Sequence, residues 1–108
     1  MAEEQVDAIF AALADPTRRA VLRALATSGQ ATATQLSTQF PVSRQAVAKH
    51  LGALSDAGLV STQRQGRELF YALQPAPLGD ALDWITDVGA EWDDRLKSLR
   101  TYLAKRRR

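Results

Sequence analysis

Between residues 34 and 54 the chain reads TQLSTQFPVSRQAVAKHLGAL, and the proline near its middle leaves few ways to fold. Pro41 removes a backbone donor and pushes Phe40 out of the helical region, so a helix arriving from Thr34 must stop there. Just beyond, Ser43 offers its hydroxyl as the N-cap of a second helix. Leu36, Phe40, Val42, Val47, Leu51 and Leu54 then share one buried face across the bend, the pattern of two helices joined by a tight turn. Arg44, Gln45, Lys49 and His50 are left on the side away from that face, and all four are donor-rich.

Such a set suits a helix whose first turns must reach base edges and phosphates at once. Arginine pairs bidentately with guanine and glutamine with adenine, while Ser43 and the helix N-terminus can hold a phosphate. The bland alternative is an ordinary amphipathic helix with a solvated face. What surrounds the stretch decides between them.

Charge is the first such context. The net value of +2 is unremarkable, but its distribution along the chain is uneven. Residues 1 to 15 hold Glu3, Glu4, Asp7 and Asp15 and no base. Residues 16 to 73 hold seven bases, Arg18, Arg19, Arg23, Arg44, Lys49, Arg64 and Arg67, against Asp56 and Glu68. Residues 74 to 104 are acidic again, with Asp80, Asp83, Asp87, Glu91, Asp93 and Asp94 outnumbering Arg95, Lys97 and Arg100, and Lys105 to Arg108 close the chain with four bases. A basic centre on an acidic frame is the footprint of a nucleic-acid binder.

The 108 residues allow one domain with a modest core. No run approaches the ~18 apolar residues of a membrane span, and the acidic start, MAEEQVD, is unlike a signal peptide. The expected location is the cytoplasm, with no membrane partner. The chain has no cysteine, so disulfides, thiolate metal sites and a catalytic thiol are excluded.

Taken in order, Val6, Ile9, Phe10 and Leu13 recur at helical spacing and predict a first helix over 3–13. Asp15 and Pro16 start a second, with Val21, Leu22 and Leu25 inward and Gly29 as its stop. Arg18 and Arg19 either meet phosphate or, the weightier reading, serve structure by pairing with acidic neighbours. Gln30 and Ala31 connect to a third helix, capped by Thr32 or Thr34 and running to about Gln39. The reading helix spans about Arg44 to Ala57 and stops at Gly58. Residues 59–73, LVSTQRQGRELFYAL, change period to two extended runs joined around Gln65-Gly66, a β-hairpin whose turn is flanked by Arg64 and Arg67. Placed straight after the reading helix, it can reach the adjacent minor groove or backbone.

Pro75 and Pro77 break the chain before a last helix over about 78–104. Leu78, Leu82, Ile85, Val88, Trp92, Leu96, Leu99 and Leu103 form one continuous apolar stripe along it, more than one small domain can cover. Val6, Ile9 and Phe10 of the first helix, with Leu82, Ile85, Val88, Trp92, Leu96 and Leu99, are therefore the expected dimer interface. Trp84 and Trp92 are expected to pack there rather than line a ligand pocket. The opposite face carries Asp80, Asp83, Asp87, Glu91 and Asp94; carboxylates on one straight helix do not converge on a cation, so a solvated face is expected. Lys105 to Arg108 are expected to fray or to add weak phosphate attraction.

Three segments in this order, LADPTRRAVLRAL at 13–25, VSRQAVAKHLGALSDAGLV at 42–60 and RQGRELFYAL at 64–73, resemble the ArsR family of bacterial winged-helix repressors. The resemblance covers nearly the whole chain. It implies a mainly α fold of five helices with a two-stranded wing, in a single domain over 1–108 with the helix-turn-helix at 33–57, the wing at 59–73 and dimerisation helices at 3–13 and 78–104. It also implies a homodimer with two recognition helices in successive major grooves of a near-palindromic operator. The DNA role falls on Ser43, Arg44, Gln45, Lys49 and His50 in the recognition helix and on Arg64, Gln65 and Arg67 at the wing.

The chain departs from the metal sensors of that family. Where they carry a cysteine pair it has Thr34-Gln35-Leu36-Ser37, and its last helix has no histidine. His50 alone makes a poor metal site, so neither a metal nor another cofactor is expected. An inducer would then be a hydrophobic ligand, a covalent signal or a competing protein. The alternative function is a winged-helix protein-interaction module; an enzyme is disfavoured by the absence of a phosphate-cradling glycine loop or a carboxylate pair with a base beside it.

Overall fold

The computed structural model describes residues 3 to 106, with Arg107 and Arg108 of the basic tail outside them. Along the chain run α1 (Glu3–Leu13), α2 (Pro16–Ser28), β1 (Gln30–Thr32), α3 (Ala33–Ser37), α4 (Arg44–Asp56), β2 (Val60–Gln65), β3 (Glu68–Leu73) and α5 (Ala76–Arg106).

Local chemistry explains most of these boundaries. Asp15 caps α2, its Oδ1 accepting from the backbone N–H of Thr17 at 2.8 Å and of Arg18 at 3.1 Å, with Pro16 at the first helical position. Arg18 is half-buried and Arg19 exposed, and neither guanidinium hydrogen-bonds a carboxylate among the described residues. Their guanidinium groups reach back to the carbonyls of Ala11 (3.5 Å) and Leu13 (2.6 Å), putting cations at the carbonyl end of α1, where its dipole favours them.

Thr32, rather than Thr34, caps α3 in a reciprocal capping box: its Oγ1 accepts from Gln35 N–H at 3.1 Å, and Gln35 Oε1 accepts from Thr32 N–H at 2.9 Å. The helix ends two residues before the expected Gln39. Over Thr38 to Phe40 the backbone tightens to i→i−3 bonds, Gln39 to Leu36 and Phe40 to Ser37, as it must before a proline that bars Phe40 from the helix. The C-terminus of α4 is a Schellman closure, with Gly58 N–H on Ser55 O, Leu59 N–H on Leu54 O and Gly58 at φ +78°.

The expected two-stranded wing belongs to a three-stranded antiparallel sheet in the order β1-β3-β2. The strand β1, read from sequence as a connector, pairs Gln30, Ala31 and Thr32 with Ala72, Tyr71 and Phe70. Three residues are too few to show an alternation, and the pairing exists because β3 offers an open edge beside the end of α2. The hairpin turn also sits one residue later than expected. Gln65 pairs with Glu68, so Gly66 and Arg67 are the turn, and Arg67 lies at its tip rather than on its flank. Only Gly66 has positive φ, +65°, the requirement of a II′ turn at its first central residue.

The core lies where α1, α2, α3, α4 and the sheet converge, and Ile9, Val21, Leu25, Leu36, Val47, Leu51, Leu54 and Leu59 are fully buried in it. Pro77 does not break α5. It falls in the first helical turn, where its missing N–H forfeits no bond, and is buried with Ala81. Phe10 meets Trp84 edge to face, ring centroids 5.4 Å apart, and ties α1 to this anchored end.

Beyond the anchor α5 runs free, giving the molecule extents of 74 × 29 × 21 Å. Leu82 and Trp92 are each 60% exposed, and Trp84, Ile85, Val88, Leu99, Tyr102 and Leu103 are also exposed. The expected surface set needs one correction, because Val6 and Ile9 are 5% and 0% exposed. They point into their own protomer, since α1 must turn its apolar face to the core and α5 to be held at all. Among the described residues no helix is long and apolar enough to cross a membrane, and no group of three or more His, Cys, Asp or Glu could hold a metal ion.

Leu51 is the central knob of α4. Leu51→Ala is expected to cost roughly 2–5 kcal/mol of folding stability, read as a lower urea midpoint with an unchanged slope; a loss under about 0.5 kcal/mol, the surface-substitution range, would contradict its place in the core.

Candidate nucleic-acid interface

The orientation of α4 is set from its buried side. Val47, Leu51 and Leu54 are fully buried against the neighbouring α2 and α3, so the residues about a third of a turn or more away are driven outward. Gln45, Ala48 and Lys49 are exposed as a result and form one face over the first turns, whereas Arg44, three positions before Val47 and seven before Leu51, lies in line with the buried stripe and is exposed because the helix begins there. Ser43 begins the helix, its Oγ accepting from Ala46 N–H at 3.1 Å; the hydroxyl hydrogen remains free to donate to a phosphate.

His50 does not join that face. It is half-buried on the flank of α4, and its charge acts on the Asp15 carboxylate. Three positions after Val47 and four before Leu54, it falls at a helical angle beside the buried stripe, which separates it from Gln45, Ala48 and Lys49.

Arg44 also departs from a simple outward pose. Its guanidinium lies over α3 and donates to Thr34 Oγ1 at 3.5 Å, the outer limit of a hydrogen bond. There it borders an open cleft of 480 Å³ between α3, the start of α4 and the wing, and Arg64 and Arg67 border the same cleft. Thr32, Thr34, Gln35 and Tyr71 add polar groups, and Glu68 is its one acid. Three of the expected residues are thus brought together, Gln45 and Lys49 stand beside them on the helix face, and Gln65 is exposed at the hairpin end but outside the cleft lining.

Sequence reasoning did not pick out Thr34 or Gln35 as part of this surface. The signal available was the pair of hydroxyls at 32 and 34: once Thr32 takes the capping role, Thr34 is left exposed at the base of the cleft. The Asp15 carboxyl was read only as a cap. The N–H of Arg18 holds it below its ordinary value of 3.8, against a smaller opposing effect of burial and with help from Thr17 N–H and the charges of His50 and Arg18. The cap of α2 is thereby tied electrostatically to the flank of α4.

A family model described as a helix-turn-helix domain matches residues 13–63. The chain is 32% identical over 88 residues to the transcriptional repressor SdpR of Bacillus subtilis, spanning 82% of this chain and 97% of that protein. Among solved structures it is similar to an ArsR-like transcriptional regulator from Rhodococcus sp. RHA1, with a TM-score of 0.81, 40% identity and 92% of each chain covered. It is also similar to the homodimeric winged helix-turn-helix DNA-binding domain of a possible ArsR-family regulator from Mycobacterium bovis, at a TM-score of 0.65 and 25% identity over 82% of this chain and 81% of that one.

Because the Asp15 pKa is lowered in the folded state, its contribution to stability is present above the unfolded value and is lost as pH falls through the folded one. Asp15→Asn keeps a capping oxygen and removes the titration. Urea midpoints measured from neutral pH down to below 3.8 are expected to fall more steeply for the wild type than for Asp15→Asn, and parallel curves would contradict the assignment.

Proposed function

The chain belongs to the ArsR family of DNA-binding transcriptional regulators, and from that premise we propose that it is a repressor acting as a homodimer on an inverted-repeat operator. The observation that carries this reading is the juxtaposition of the open face of α4 with the arginine-bordered cleft under the wing. A recognition helix with a hairpin at its side is built to place donors in a major groove and cations along the neighbouring backbone. Gln45 is the residue best placed to read a base, with Lys49 and Ser43 on phosphates. Repression follows from occupancy, because a protein seated across a promoter excludes what must bind there; the promoter of its own gene is a candidate operator.

Dimerisation is supported by α5. Its exposed Leu82, Ile85, Val88, Trp92, Leu99 and Leu103, with Leu96 half-buried between them, exceed what a monomer of this size ordinarily leaves in water. The homodimeric Mycobacterium bovis domain is a precedent for such an assembly. A two-fold interface closes on itself, covers the same patch on both copies and sets two recognition helices at a constant separation. Phe10, half-buried against Trp84, borders that patch, whereas Val6 and Ile9 are buried within the protomer. Such a regulator works in the cytoplasm, where its DNA is.

Selection of bound duplexes from a random pool is expected to return an inverted repeat with half-site centres about 10 base pairs, or a multiple of that turn, apart. A direct repeat or an isolated half-site would overturn the proposed symmetry. The double substitution Trp92→Asp and Leu99→Asp, at two exposed positions, is expected to give a folded monomer by light scattering and to weaken operator binding about tenfold or more, the avidity of the second half-site being lost. A variant that stays dimeric would place the interface elsewhere.

A further inference from the structure

We infer that Arg44 is a phosphate clamp rather than a base reader, and that Arg44, Arg64 and Arg67 together seat the DNA strand that separates the two grooves engaged by α4 and the wing. The inference rests on the DNA-binding reading above and assigns roles within it. Arg44 and Gln45 are neighbours at the start of α4 and equally suited by type to read a base, but their placements differ. Gln45 is open to solvent on the face shared with Ala48 and Lys49. Arg44 is turned over α3 onto Thr34 Oγ1, at the edge of the cleft that Arg64 and Arg67 border from β2 and the hairpin turn.

Three guanidinium groups around one cleft face a single carboxylate, Glu68, and repel one another until an anion enters. Guanidinium forks match phosphate oxygens bidentately, and the Thr34 hydroxyl, having accepted from Arg44, can still donate. The cleft's position names the anion. A helix in a major groove and a wing at the adjacent minor groove are divided by one sugar-phosphate strand, and the cleft lies between those two elements.

Base reading then falls to Gln45, one turn from the exposed Ala48. Glutamine pairs bidentately with adenine, and an alanine methyl suits the methyl of thymine.

The test is a titration of the full chain against the selected operator and a scrambled duplex over a range of salt. Each phosphate contact contributes about 0.9 to the log–log salt slope, and a dimer carries each contact twice, so Arg44→Ala is expected to flatten the slope by about 1.8. Its preference for operator over scrambled duplex should stay within about twofold of the wild type, because phosphate contacts carry no sequence. Arg44→Lys, which keeps the charge, should restore most of the slope. Gln45→Ala should leave the slope unchanged and reduce the preference about tenfold or more, as loss of a bidentate base contact does. Circular dichroism confirms that each variant folds, the two side chains being exposed. If Arg44→Ala collapses the preference and spares the slope, the clamp is overturned while the DNA-binding reading stands. If the wild type binds neither duplex at low salt, that reading falls and the clamp with it.

Discussion

What this molecule can offer to a partner depends on the burial of one stripe of α4. Val47, Leu51 and Leu54 are out of water altogether, each such side chain being worth about 1.5–3 kcal/mol. Turning the helix by even one residue, about 100°, would expose them. The helix is therefore held in a single rotation; Gln45, Ala48 and Lys49 are displayed because they are what remains, and Arg44 emerges from the stripe's own line where the helix starts. Rigidity of this kind is what recognition demands, since a side chain reads a base edge only if its Cα is held within a fraction of an ångström. The supports are modest: a serine cap at one end, a Schellman closure at the other and α2 behind.

The same core divides the molecule into two surfaces with different chemistry. On one side the outward residues of α4 and the turn of the wing are cationic and solvated, suited to a partner met through water and phosphate. On the other, α5 is anchored by Pro77, Ala81 and the contact of Phe10 with Trp84 and then leaves the body with its apolar residues uncovered. Electrostatic attraction to DNA is weakened by salt, whereas apolar association is not. A dimer joined through α5 would persist under conditions in which it releases its operator, and the two events are separable for that reason.

Local signals in the chain were legible where a side chain acts on its own backbone. Asp15 with Pro16, Ser43, Gly29 and Gly58 mark helix ends because capping is chemistry between residues a few positions apart. They were least legible where the partner is remote. Nothing about Gln30-Ala31-Thr32 marks a strand until β3 is beside it, and Pro77 resembles a breaker unless α5 is known to begin just before it. Helical periodicity grouped Val6 and Ile9 with the residues of α5 because both sets are apolar; it could not say which apolar face the protomer keeps for itself. For the site, the residue types at Arg44, Gln45, Lys49, Arg64 and Arg67 were visible at once. The placement of His50 on the flank, and the gathering of three arginines around one cleft, were not.

By itself the sequence determined the five helices and the hairpin in their order, the caps of α2 and α4, the basic centre on an acidic frame and the absence of cysteine chemistry, because each is a property of composition or of neighbours in the chain. Only the tertiary structure decided which way those elements face: that α1 spends its apolar stripe inward and α5 leaves its own outward, that β1 closes the sheet, and that Arg44 leans toward the wing instead of standing beside Gln45. The reason is that orientation is a competition among surfaces for the same small core, and its outcome depends on residues far apart in the chain that meet only when it is folded.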